Sequence, residues 1–169
     1  SNFKSSSIIT IDGVGEKETI TFSNGKNNKI TKIKSFNFPH SLGLFYSTIT
    51  AFLGFEVNEG EYKVMGMAAY GKPKYKDNVG KLIYFNKKKF ILNLDFFNFD
   101  NIENPPFTEK FILEFGDPRD PDSSEQKDPL NKKFLYYADL AASFQSVLED
   151  IVLEMIDQVV ELTGEKNLC

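Results

Sequence analysis

The period of the apolar positions changes along the chain, and each change marks an element. Ser7 to Ile11 is a short apolar run rich in β-branched residues that ends in Asp12-Gly-Val-Gly15, the pattern of a buried strand opening into a tight turn. Lys17 to Phe22 alternates Thr and Ile with charge, Ser23-Asn24-Gly25 reads as a turn, and Lys29 to Phe36 sets Ile30, Thr31, Ile33 and Phe36 among lysines. Three antiparallel strands are expected within residues 7–36. After Pro39 the period becomes helical. Leu42, Phe45, Ile49, Phe52 and Leu53 share one face, which predicts a helix near 41–53 with Ser41 as N-cap and Gly54 just past its end.

A second, short helix is expected from Tyr62 to Tyr70, stopped by Gly71 and Pro73. Tyr84-Phe85, Asn86-Lys-Lys-Lys89 and Phe90-Ile-Leu92 read as a hairpin insertion near 81–95, and Thr108 to Phe115 as a helix. Gly116 to Lys127 is dense in proline and aspartate without apolar periodicity, so an exposed loop is expected there. The longest helix, near 129–163, would be capped by Asp128 with Pro129 at its first position. Its apolar stripe runs Tyr137, Leu140, Ala141, Phe144, Leu148, Ile151, Met155, Val159 before Thr163-Gly164 ends it.

A chain of 169 residues, 41% hydrophobic and 14% aromatic, is large enough for one domain with its own core. The net charge of -4 argues against a nucleic-acid partner, because phosphate backbones are bound by dense Lys/Arg surfaces; the seventeen phenylalanines therefore read as packing. The one cysteine, Cys169, excludes an intrachain disulfide and a cysteine-based metal cluster, which suits a reducing cytoplasm. No apolar run of transmembrane length occurs, and no membrane partner is expected.

The candidate chemistry sits at three places. Asp12 lies where a strand gives way to Gly13-Val14-Gly15; the glycines let backbone approach a ligand, and the carboxylate could meet a metal or simply cap its own turn. Ser41 and Gly43 open a helix whose free N–H groups and dipole favour an anion, next to His40, the single histidine, which reads as turn-closing. Glu59-Gly-Glu-Tyr-Lys-Val-Met-Gly66 gathers two carboxylates and a lysine between glycines. Gly60, Glu61 and Lys63 could hold ribose hydroxyls and phosphate, or form a solvated loop with a surface ion pair. Met65 and Met67 read as core. On the long helix Asp139, Ser143, Gln145 and Glu149 form a polar side, which a solvated helix face explains.

Phe38 to Phe55 followed by Asn58 to Gly71, with Gly60-Glu61-Tyr62-Lys63-Val64-Met65-Gly66 inside it, resembles the O-carbamoyltransferases of the nodulation and antibiotic-tailoring type. Ile8 to Glu16 and Ala138 to Glu149 agree in order and spacing. The resemblance implies an α/β fold, part of an actin-like domain of the ribonuclease-H-like, sugar-kinase and heat-shock-ATPase superfamily, with a mixed sheet packed by helices. Residues 1–169 would form one partial domain, with a nucleotide loop near 58–71, in an enzyme that continues on both sides. The implied enzyme forms a carbamoyl adenylate from carbamoyl phosphate and ATP with a divalent metal, Fe or Mg/Mn, and passes the carbamoyl group to a hydroxyl of a sugar or natural-product acceptor. Asp12 is implied as a metal ligand, and Gly13, Gly15, Ser41, Gly43, Gly60, Glu61 and Lys63 as the nucleotide and phosphate site. Lys166-Asn-Leu-Cys169 would begin a further strand, and the piece alone is expected to be inactive and to self-associate as a homo-oligomer. A tRNA threonylcarbamoyl transferase component resembles the same chemistry, but Leu42-Gly-Leu44 stands where that family has an acidic helix start. A non-catalytic actin-like nucleotide-binding module is the rival from another class.

Overall fold

The structure, a computed structural model, describes residues 2–86, 89–100, 104–123 and 130–169. In chain order it contains β1 (Ser5–Ile11), β2 (Glu18–Lys26), β3 (Lys29–Asn37), α1 (Leu42–Phe52), α2 (Glu61–Ala68) and α3 (Lys76–Gly80). There follow β4 (Ile83–Phe85), β5 (Phe90–Leu92), a 3-10 turn at Leu94–Phe96, α4 (Glu109–Phe115) and α5 (Lys132–Thr163). Strands β1, β2 and β3 form an antiparallel sheet in that order, and β4 pairs with β5 in a hairpin closed by Asn86 N–H to the Lys89 carbonyl at 2.9 Å. The fold is thus mixed α/β, with antiparallel sheets packed with helices. The proposed cap Asp128 and Pro129 fall outside the described residues, as do Lys87 and Lys88.

The chain divides into two compact units, one of residues 1–44, 85–91 and 150–169, the other of residues 45–84 and 92–149. In the first, β2 carries the core: Ile20 and Phe22 are fully buried and alternate along the strand, and Phe22 meets Phe36 edge to face at 5.7 Å. Phe36 in turn packs on Phe85 and Phe90. The last residues of the chain lie parallel to β1. Ser7 N–H donates to the Asn167 carbonyl at 2.8 Å, Cys169 N–H to the Ser7 carbonyl at 2.9 Å, and Ile9 N–H to the Cys169 carbonyl at 2.9 Å. The buried strand expected to begin at Lys166 to Cys169 is found only as this isolated parallel bridge between Leu168 and Ser7, with Leu168 39% exposed, and the sheets themselves are antiparallel rather than mixed.

Two expectations are corrected here. The buried positions of β1 are Ser6 and Ser7, while Ile11 is 39% exposed. Ser7 is inside because its hydroxyl shares a 2.7 Å hydrogen bond with the Thr163 hydroxyl, so a polar residue is satisfied where apolar ones were expected. Ser23-Asn24-Gly25 is no turn. The strand runs on to Lys26, and the chain reverses at Asn27-Asn28, with Asn27 at a φ of 54° that asparagine tolerates.

In the second unit the core is aromatic. Phe45 stacks on Phe144 at 5.2 Å, and Phe111 touches Phe52, Phe115 and Phe144. The α5 stripe is buried at Tyr137, Leu140, Ala141 and Phe144 as its spacing predicts. Gly54, at a φ of 71°, ends α1 as expected, and its missing Cβ also leaves room for the Arg119 carbonyl, which a side chain there would approach to 2.6 Å. Of the loop expected at 116–127, residues 124–127 fall outside the described residues, and the described part, 116–123, is not wholly exposed. Arg119 is 3% exposed, takes the Leu53 carbonyl with its guanidinium at 3.1 Å and donates its N–H to the Phe52 carbonyl at 2.8 Å, so it closes the end of α1. Within residues 58–71, Glu61 to Ala68 form α2, close to the short helix expected from Tyr62 to Tyr70. Met67 is buried as expected, but Met65 lies on the outer face of α2 and is 58% exposed.

Candidate functional site

In the first unit the Asp12-Gly13 turn is seated on the first turn of α1. Ser41 is fully buried and acts as the N-cap, its Oγ accepting from Leu44 N–H at 3.1 Å and donating to the carbonyls of Asp12 at 3.0 Å and Gly13 at 2.5 Å. Gly43 has no room for a side chain: a Cβ there would lie 2.6 Å from Gly13 Cα. Gly15 likewise has the Glu18 carbonyl 2.6 Å from where its Cβ would be. The two sequence motifs, Asp12-Gly-Val-Gly15 and Ser41-Leu-Gly43, are thus one structural group.

Thr19 aligns that group, and sequence reading missed it. It is the extra residue of a bulge in β2, since Glu18 pairs with Asn37 and Ile20 with Phe36. Its carbonyl takes Asp12 N–H at 2.8 Å, and its buried hydroxyl donates to the His40 carbonyl at 2.6 Å, so one residue fixes both the acidic turn and the approach to α1. An alternating Thr-Ile-Thr run gives no signal of a bulge. The His40 side chain is half-buried, and burial lowers its pKa from 6.5, favouring the neutral ring.

The Asp12 carboxylate is exposed, with Oδ1 accepting its neighbour's N–H, that of Gly13, at 2.8 Å. The turn-capping bond leaves the carboxylate with further lone pairs. Asp12 lines an open depression of about 480 Å³ together with Gly15, Glu16, Lys17 and Glu18. Glu18 is held below the usual carboxylate range by its hydrogen bond to Lys32, with Ser35 adding to it. Among the described residues no three His, Cys, Asp or Glu side chains are grouped to hold a metal ion.

Gly60, Glu61 and Lys63 belong to the second unit. Gly60 precedes α2 and is buried, with the Glu56 carbonyl 2.7 Å from where a Cβ would be. Glu61 Oε1 accepts from Asn58 N–H at 2.9 Å and from Ser47 Oγ at 3.4 Å, which ties down the turn leading into α2. Lys63 is exposed, its ammonium over the rings of Phe55 and Tyr62 at 6.0 and 5.8 Å. Nearby on α1, Tyr46 donates to Gln145 Oε1 at 2.7 Å, and its phenol is pushed up to about 12 by burial and by the charges of Glu149 and Glu61.

On the polar side of α5 Glu149 is exposed as expected, but Asp139 and Ser143 are not on a solvated face. Asp139 is 6% exposed and Ser143 fully buried. Asp139 accepts Lys72 N–H at 2.8 Å and the Lys74 ammonium at 2.6 Å, and Ser143 Oγ accepts Tyr75 N–H at 3.0 Å while donating to the Asp139 carbonyl. Their i, i+4 spacing was legible, but their partners lie about 70 residues upstream, at separations of 65 to 68, and left no local trace.

Comparisons with known proteins identify the family. Residues 1–169 match the family model described as carbamoyltransferase N-terminus, and the chain belongs to that family. It is 40% identical over 171 residues to "Uncharacterized protein sll1178" of Synechocystis sp., covering 100% of this chain and 26% of that protein. Nodulation protein NolNO of Sinorhizobium fredii is 28% identical across 99% of this chain and 22% of its own length. Nodulation protein NolO of Bradyrhizobium diazoefficiens is 28% identical across 100% of this chain and 28% of its own length. The chain thus spans about a quarter of the length of the relatives it matches. Among the described residues no helix is long and apolar enough to cross a membrane.

Proposed function

We propose that this chain is the part of an ATP-dependent O-carbamoyltransferase that helps bind the nucleotide and a divalent metal, within an actin-like domain completed by the rest of the parent polypeptide. The observation that carries this reading is the carbamoyltransferase N-terminus match along residues 1–169, at whose start the Asp12-Gly13 turn packs on the Ser41-Gly43 helix opening. With one water, carbamoyl phosphate would give phosphate and carbamate, and a carbamate oxygen would attack the α-phosphorus of ATP to yield a carbamoyl adenylate with release of pyrophosphate. A hydroxyl of a sugar or natural-product acceptor then takes the carbamoyl group and AMP leaves.

Catalysis of this kind depends on positioning and on neutralising phosphate charge. The exposed Asp12 carboxylate is suited to one bond to a hard cation, the remaining donors coming from outside these residues, and the metal would supply charge to the phosphates. Lys63 offers an exposed ammonium to a phosphate, and the second oxygen of Glu61 a ribose hydroxyl acceptor. Ser41, Gly13, Gly15 and Gly43 would shape the backbone around Asp12. The test is an assay of the full-length parent with ATP and carbamoyl phosphate. Pyrophosphate release that requires both reactants is expected; consumption of neither, in the presence of Mg, Mn or Fe and a panel of hydroxylated acceptors, overturns the reading.

A further inference from the structure

The segment between α2 and α3 is more firmly held than a connector needs to be. Gly71 lies directly on the α5 backbone, where a Cβ would come within 2.0 Å of the Ala138 carbonyl oxygen. The next residues are fastened in order: Lys72 by its N–H to Asp139 Oδ1, Lys74 by its ammonium to Asp139 Oδ2, and Tyr75 by its N–H to Ser143. Tyr75 also meets Tyr136 edge to face at 5.6 Å. Burying a carboxylate is unfavourable unless it is paired, and a neutral acceptor at position 139 could hold the Lys72 N–H equally well. What the charge adds is a fixed ammonium. The Lys74 side chain remains 60% exposed while its ammonium is anchored, so its other N–H donors can reach a ligand. Asp139 also raises the pKa of Lys74, which keeps it charged. Lys72, two residues away on the same clamped backbone, is exposed.

We propose that the Gly71–Tyr75 loop is an anion-binding element in which Lys72 and Lys74 receive a phosphate group of a phosphate-bearing reactant, with Asp139 the positioning residue that holds them. This rests on the reading that the parent enzyme handles ATP and carbamoyl phosphate, which share that chemistry. Preorganisation is the physical gain: two lysines on a free loop lose side-chain and backbone freedom on binding, whereas here the backbone is already fixed.

The test uses the full-length parent and its Lys72→Gln, Lys74→Gln, Lys74→Arg and Asp139→Asn variants, titrated by calorimetry with ATP, pyrophosphate and carbamoyl phosphate. Lys72→Gln is expected to weaken at least one ligand roughly tenfold with the melting temperature unchanged, since an exposed lysine contributes little to folding. Asp139→Asn weakens the same ligand, and Lys74→Arg retains most of the affinity that Lys74→Gln loses. Loss confined to carbamoyl phosphate assigns the loop to that reactant; loss shared by ATP and pyrophosphate assigns it to the nucleotide. Wild-type affinity for all three in both Lys→Gln variants overturns the inference, as does a wild-type parent that binds none of them. If Asp139→Asn does not fold, the two exposed lysines decide the matter. A parent that binds these ligands but never consumes them sinks the proposed reaction and leaves the loop assignment standing.

Discussion

The Ser41 hydroxyl donates to the Gly13 carbonyl at 2.5 Å while accepting the Leu44 N–H at 3.1 Å, so one side chain both caps α1 and pins the acidic turn to it. Ser41→Ala removes the cap on the half-buried Leu44 N–H and the two bonds to the Asp12-Gly13 turn, which should destabilise the chain by about 1–2 kcal/mol. Gly43→Ala acts from the other side, placing a methyl 2.6 Å from Gly13 Cα, where backbone rather than a flexible side chain must yield. Thermal unfolding of both variants checks this; a Gly43→Ala protein as stable as wild type would mean the turn is not seated on the helix.

Asp12→Asn separates the turn from the chemistry. The amide oxygen of asparagine can still accept the Gly13 N–H that Asp12 Oδ1 holds at 2.8 Å, so stability should change by less than about 0.5 kcal/mol. The negative charge is gone, and in the full-length parent turnover should fall by a factor of 100 or more on the order expected for a lost metal ligand or its equivalent. Full activity in a folded Asp12→Asn enzyme with normal metal content would restrict Asp12 to closing its own turn.

Much of this organisation was legible locally. The strand-turn at Asp12, the Ser41 cap, the Gly54 stop and the α5 stripe each follow from short-range rules, and each is found. What stayed hidden is what depends on distant chain. Ser7 is buried because Thr163 answers it, Arg119 because α1 ends beside it, and Asp139 because the Lys72–Lys74 backbone lies on it. In each case a polar residue carries no periodic signature of its own, and its partner is more than sixty positions away. The Thr19 bulge failed to show for a different reason: an inserted residue in an alternating run looks like one more step of the alternation. The docking of Asp12-Gly13 on Ser41-Gly43 belongs with these, since each motif was visible and their contact was not.

His40 gives a pH test with a clean reporter, because it is the only histidine. Burial lowers its pKa below 6.5 in the folded chain, so the folded state binds its proton less readily than the unfolded state. The contribution to stability is therefore fully present above pH 6.5 and is lost as the pH falls through the lowered folded value. The ring-proton NMR resonance of the folded protein should titrate with a midpoint below 6.5, and His40→Gln should flatten that part of the stability profile. A midpoint at or above 6.5 contradicts the half-buried placement of the ring.

The glycines of the Gly60–Gly71 segment provide a pair of identical substitutions with opposite expected signs. Gly71→Ala puts a methyl 2.0 Å from the Ala138 carbonyl oxygen and 2.6 Å from the Asp139 nitrogen, both part of the α5 backbone. A helix backbone cannot retreat by that much without breaking its own hydrogen bonds. The loop must lift instead, taking with it the Lys72 and Tyr75 N–H bonds to Asp139 and Ser143, and a loss of about 3 kcal/mol or more is expected. Gly66 is exposed inside α2, and a Cβ there meets nothing within 4 Å. Alanine at that position restricts the unfolded chain and suits the helix, so Gly66→Ala should stabilise by roughly 0.5–1 kcal/mol. Urea unfolding of the two variants decides it, with equal or reversed shifts counting against this placement of α2 and its following loop. If Gly66→Ala also weakens ATP binding by the full-length parent while raising its stability, the missing side chain serves the close approach of the nucleotide rather than the fold.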